Sequence, residues 1–115
     1  MAYLMLIAEP VGQRAERTAE EGQFVYDRML RFAAGLKERG VLVAAESLAT
    51  AGVRVQKRDG RTSLIDGPFA EAKEMIGGYF LLDVDTRDEA VAIASDCPAA
   101  EWCAIEVRKL GPCFE

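Results

Sequence analysis

Two stretches decide the fold: Tyr3-Leu4-Met5-Leu6-Ile7-Ala8 and Tyr79-Phe80-Leu81-Leu82-Asp83-Val84. Each is too short for a buried helix and too evenly apolar for a strand with one solvated face. Both read as strands covered on two sides. Pro10 and Gly12 stop the first, and Gly77-Gly78 precedes the second. Between them, Thr18-Ala19-Glu20-Glu21 has the form of a capping box, with Thr18 as N-cap. Val25, Met29, Phe32 and Leu36 follow at spacings that put them on one helical stripe. Lys37 and Arg39 suit the negative end of the helix, and Gly40 suits its C′ position. The predicted helix runs from about Ala19 to Arg39.

Further out, Val41 to Leu48 reads as a strand, and Val53 to Lys57 as a short alternating one. Asp59-Gly60 is a two-residue hairpin signal that needs positive φ at both positions, and Thr62 to Ile65 returns antiparallel. Thr86-Arg87-Asp88-Glu89 opens a second helix, which Pro98 ends. The last strand runs Cys103 to Arg108, with Cys103, Ile105 and Val107 on one face and Ala104, Glu106 and Arg108 on the other. The order is β-α-β, a hairpin, then β-α-β. It predicts an α+β fold with one antiparallel sheet, the split βαβ pattern of a ferredoxin-like sandwich. Two helices cover one face only. A second copy of the chain is the expected cover for the other, which makes a homodimer an expectation from periodicity.

The bulk composition sets outer bounds. The chain has 115 residues and a formal net charge of −5, which predicts a single domain over 1–115. Its acidic balance and interleaved basic residues argue against a nucleic-acid partner. The first apolar run is too short for a signal-peptide core or a membrane span, so a cytoplasmic protein is expected. Cys97, Cys103 and Cys113 contain no C-x-x-C pair, so reduced thiols and no zinc site are expected. There is no histidine. That removes the Ser-His-Asp triad, the Cys-His pair and histidine-bound metal, and leaves any chemistry to carboxylates, lysine, tyrosine, cysteine or the backbone.

The run Asp66-Gly67-Pro68-Phe69-Ala70-Glu71, with Lys73-Glu74 and Gly77-Gly78-Tyr79 after it, resembles the signature of DGPF-domain proteins of the YciI-like (YCII-related) family. The first strand, Gly40 to Val43 with Glu46 and Leu48, Asp59-Gly60, and Glu106-Val107-Arg108 extend the resemblance along the chain. The resemblance implies a dimeric α+β barrel, with two such sheets face to face. It also implies a gene context beside extracytoplasmic-function sigma factors. Some YciI-like members carry a His-Asp pair. This chain has no histidine, so that role does not transfer.

The expected function is small-molecule binding in a barrel pocket, with room for cofactor-independent acid–base chemistry and no cofactor or metal. The alternative is a non-catalytic regulatory or sensor partner of a sigma factor. Asp66 is the candidate acid/base; Glu46, Glu71, Lys73, Tyr79 and Arg108 are candidate ligand-binding residues. Bland alternatives stand beside each. Gly67, Pro68 and Phe69 have a pure turn role available, with Gly67 at an unusual φ and Phe69 plugging the core. Glu71, Lys73 and Glu74 also fit a solvated loop cluster. Glu46 breaks an apolar strand, and either pairs with Lys73 or Arg108 or points into a polar pocket. Glu106 and Arg108 also fit a cross-strand ion-pair network at a dimer interface. Tyr79 fits a core aromatic with one satisfied hydroxyl.

Overall fold

The computed structural model describes residues 2–114. Four strands form one antiparallel sheet: β1 (Ala2–Pro10), β2 (Leu42–Ser47), β5 (Glu74–Asp83) and β6 (Ala104–Lys109), in the order β2-β5-β1-β6. The two strands that read as apolar on both faces are therefore the central pair. β3 (Gly52–Arg58) and β4 (Arg61–Gly67) form a separate two-stranded hairpin. Helices α1 (Ala19–Glu38) and α2 (Arg87–Asp96) lie on the sequence where the capping boxes place them. This is the ferredoxin-like α+β arrangement.

The helix ends follow from local chemistry. Thr18 Oγ1 accepts from the Glu21 N–H at 3.1 Å, and the Thr18 N–H donates to Glu21 Oε1 at 2.9 Å. At the other end Gly40 takes φ +73°, its N–H donates to the Lys37 carbonyl, and the Val41 N–H donates to the Leu36 carbonyl. That is a Schellman ending, which a Cβ at Gly40 would strain. The second box is half formed. Thr86 Oγ1 accepts from the Glu89 N–H, while Glu89 Oε2 accepts from the Asp85 N–H instead of its N-cap. In the hairpin, Asp59 (φ +52°) and Gly60 (φ +75°) both adopt the left-handed region, as a two-residue turn requires.

The core lies between the helices and one face of the sheet. Tyr3, Met5 and Ile7 of β1 alternate into it, as do Phe80 and Leu82 of β5. Leu36, Ala90, Ile93 and Ala94 meet them from the helices. Phe32 packs edge-on to Phe80, with ring centroids 5.5 Å apart. Met5 and Leu82 have no exposure at all. The opposite face presents Leu4, Leu6, Tyr79 and Leu81, all half-buried, with exposed Glu46, Glu106 and Arg108 around them.

Two details depart from the sequence. β5 begins at Glu74, before Gly77-Gly78, so the glycines lie inside the strand. The Gly67–Pro68 peptide is cis, and Gly67 is not among the positive-φ glycines. A Cβ at Gly67 would stand 3.0 Å from the Phe69 ring, so close approach explains this glycine. Phe69 does not plug the core. It is half-buried beneath the Arg54 guanidinium, 3.8 Å from the ring centroid.

Candidate functional site

The alternation that buries Tyr3, Met5 and Ile7 continues one step further than the apolar run, to Glu9. Its carboxylate therefore points to the helix side and is only 6% exposed. A charge in that position must be paired. Just past the end of β1, the 3-10 turn Gln13–Glu16 delivers Arg14. Its Nε donates to Glu9 Oε2 at 2.9 Å and its Nη2 donates to Glu9 Oε1 at 2.6 Å, a bidentate fork. Arg14 Nη2 also donates to the Gly77 carbonyl at 3.2 Å.

Gly77 makes this pair possible. The β1–β5 register runs Ile7↔Gly78 and then Ala8↔Ile76, so Gly77 is the extra residue of a bulge. A Cβ there would lie 1.6 Å from Glu9 Oε1 and 3.0 Å from Arg14 Nη2. At Gly78 a Cβ would meet the Glu46 carbonyl oxygen of β2 at 2.9 Å. The Gly-Gly pair lets a carboxylate and a neighbouring strand approach the β5 backbone.

Above Glu9 and Arg14 a cavity of about 530 Å³ opens between the sheet and α1. Ile7, Val25, Met29 and Phe80 give it apolar walls. Arg17, just before the helix, and Trp102, after the second 3-10 turn Pro98–Glu101, form part of its rim. Gln13 Nε2 donates to the Trp102 carbonyl at 2.7 Å, and the Cys103 thiol donates to Gln13 Oε1 at 3.6 Å. Burial, with the Glu9 charge second, pushes the Cys103 thiol up to about 11. Burial also raises Cys97. Both thiols are thus poor nucleophiles at neutral pH.

The sequence-predicted residues lie mostly elsewhere. Glu46 borders the cavity at the β2 edge, although its register with Tyr79 sets its side chain on the other face; Asp66, Glu71, Lys73, Tyr79 and Arg108 do not line it. Asp66 is exposed on β4, opposite Val53. Glu71 accepts from Arg54 Nη1 at 2.8 Å, and that guanidinium holds its carboxyl below the usual carboxylate range. Lys73 is exposed, and its carbonyl accepts from the Val11 N–H. Tyr79 pairs in register with Glu46 and with Leu6, and Arg108 with Leu4, so these three polar groups share the face away from the helices. Neither Lys73 nor Arg108 forms an ion pair with Glu46 among the described residues. Glu9, Arg14 and Arg17, which line the cavity, belong to no motif of the sequence. The signal for Glu9 was an acid at the next inward position of the first strand, followed five residues later by an arginine.

A sheet of this order with two helices on one face, and a cavity under the first helix, defines a ferredoxin-like α+β protein with a one-sided site. The YCII-related domain family matches residues 1–113, and the chain belongs to it. An uncharacterized protein of Rhizobium meliloti (strain 1021) is 43% identical over 63 residues. The match covers 53% of this chain and 51% of that protein, so the chain spans about half the length of this curated relative. Among solved structures, 5-chloro-2-hydroxyhydroquinone dehydrochlorinase (TftG) from Burkholderia phenoliruptrix AC1100, in complex with 2,5-dihydroxybenzoquinone, aligns with a TM-score of 0.60. The alignment covers 96% of this chain and 94% of that one at 17% identity, a likeness of fold. No helix among the described residues is long and apolar enough to cross a membrane.

Proposed function

We propose that this protein binds a small organic molecule in the cavity between α1 and the sheet. The observation that carries this is the Glu9–Arg14 pair on the cavity floor, with Gly77 stripped of a side chain to admit it. A buried ion pair adds little stability over apolar packing of the same volume. Its placement at the base of a cavity, under apolar walls, fits orientation of a ligand. The volume lies in the range of small-molecule sites. The bound quinone of TftG shows that a protein of this fold accommodates a small cyclic compound. Asp66 stands exposed on the hairpin, outside this cavity.

The same reading takes the chain as one domain of a homodimer in the cytoplasm, of the D-G-P-F type. Leu4, Leu6, Tyr79 and Leu81 form a half-buried apolar stretch on the face that no helix among the described residues covers. A second copy presenting the same face is the symmetric way to cover it. A sigma-factor partner, which the resemblance implies, would find its surface on the hairpin, where Val53, Val55 and Leu64 are exposed on one side.

A fragment screen by protein NMR tests the site. Binders are expected to shift resonances of Ile7, Met29 and Trp102, and Gly22→Phe, which fills the cavity, is expected to abolish those shifts. Hits that map elsewhere, or persist in the filled variant, would refute the site. Sedimentation at tens of micromolar tests the dimer, and a mass of 12.6 kDa would refute it.

A further inference from the structure

One guanidinium of the cavity lining has its side-chain donors unused. Glu9 and Arg14 bond each other through both oxygens and cancel. Trp102 is flanked by two further guanidiniums, Arg28 at 5.4 Å and Arg17 at 5.8 Å from the ring centroid. Arg28 is committed: its Nη1 and Nη2 donate to the two carboxylate oxygens of Glu101 at 3.2 and 2.5 Å. Arg17 is not. It is half-buried, lines the cavity, and its guanidinium donates no hydrogen bond among the described residues. The Glu21 carboxylate feels the Arg17 charge but takes its hydrogen bond from the Thr18 N–H.

We infer that the cavity selects a small organic anion with a flat apolar body, and that Arg17 grips the anionic group. The inference rests on the cavity being a ligand site. A guanidinium turned into a partly desolvated pocket gains most from an acceptor that brings charge and two oxygens. The Trp102 indole, 5.8 Å from the guanidinium carbon, supports it at cation–π range. Ile7, Val25, Met29 and Phe80 then enclose the apolar body. A neutral ligand of the same shape would fill the walls and leave Arg17 partly desolvated without an acceptor. A cation would meet repulsion there.

The test compares 2-naphthoate with its uncharged isostere 2-naphthamide by NMR titration of the intact protein. Naphthoate is expected to bind tighter by about tenfold or more, the worth of a charge-assisted hydrogen bond. Arg17→Gln is expected to erase that preference while leaving the amide's affinity unchanged, and Arg17→Lys to keep part of it. Equal affinities in the unaltered protein would overturn the anion preference and leave the cavity standing as a site. A preference that survives Arg17→Gln in a folded protein would overturn the assignment of Arg17. Binding of neither compound at millimolar concentration would overturn the anion inference and count against the cavity itself.

Discussion

The molecule contains the same small device twice, in opposite surroundings. At the end of β1, Arg14 pairs with Glu9 beside a glycine whose missing Cβ makes room for the carboxylate. At the base of the hairpin, Arg54 pairs with Glu71 beside a glycine whose missing Cβ makes room for Phe69. The Glu9 side chain is 7% exposed, and that of Glu71 is 67% exposed. The hairpin device sits in the most recognisable motif of the sequence and faces solvent. The β1 device is spread over residues 9, 14 and 77 and forms the floor of the cavity. Recognisability and enclosure do not coincide here, because a motif is compact in sequence while a pocket is assembled from distant segments.

The largest expected effect that separates the two is Gly77→Ala. The new Cβ displaces the Glu9 carboxylate from Arg14; because the Arg14 side chain is 35% exposed, the cost falls below the about 3 to 5 kcal/mol of breaking a fully buried pair. Urea unfolding should show a midpoint well below that of the unaltered protein; an unchanged midpoint would mean that the strand relaxes around the methyl. Gly67→Ala meets only the edge of the half-buried Phe69 ring, and a much smaller shift is expected.

Next in size is Arg14→Met, which leaves Glu9 buried and unpaired. Glu9→Gln in the same background should recover part of the loss, because the amide carries no charge to strand. A double-mutant cycle over Glu9 and Arg14 is therefore expected to show clear coupling. The same cycle over Arg54 and Glu71 should show none beyond error, since solvent screens an exposed pair. Equal coupling in the two cycles would collapse the distinction.

The smallest effect concerns the thiols. Thiolate is the reactive form, so a raised thiol pKa slows alkylation at any pH below it. At pH 8, iodoacetamide is expected to modify exposed Cys113 well before Cys97 or Cys103, by mass spectrometry. Glu9→Gln removes the second cause of the Cys103 shift and leaves burial, the first. Cys103 should then react modestly faster, with Cys113 still ahead. No change at Cys103 would place the Glu9 charge too far away to matter.

Much of the fold was legible because its determinants are local or periodic. Thr18 with Glu21 and Gly40 marked both ends of α1; Asp59-Gly60 marked the hairpin; alternation in β1 and β5 marked the central strands. The site was less legible. Reading β1 as ending at Ala8 hid Glu9, and reading Gly77-Gly78 as punctuation before a strand hid a bulge within it. The candidates Asp66, Glu71 and Lys73 stood out through their motif, yet the chain holds them at the hairpin and its loop, outside the cavity.

The sequence by itself determined the element order, the helix caps, the hairpin turn and the family, because each depends on residues within a few positions of one another. It also determined, through the missing histidine, which chemistries are unavailable. Only the tertiary structure decided that Glu9 meets Arg14, that Gly77 leaves the space for it, and that Arg17 and Trp102 stand at the cavity rim. Those relations depend on strand register and on where α1 crosses the sheet. A single bulge between Ile7 and Ala8 changes which residues face each other, and no local propensity specifies it.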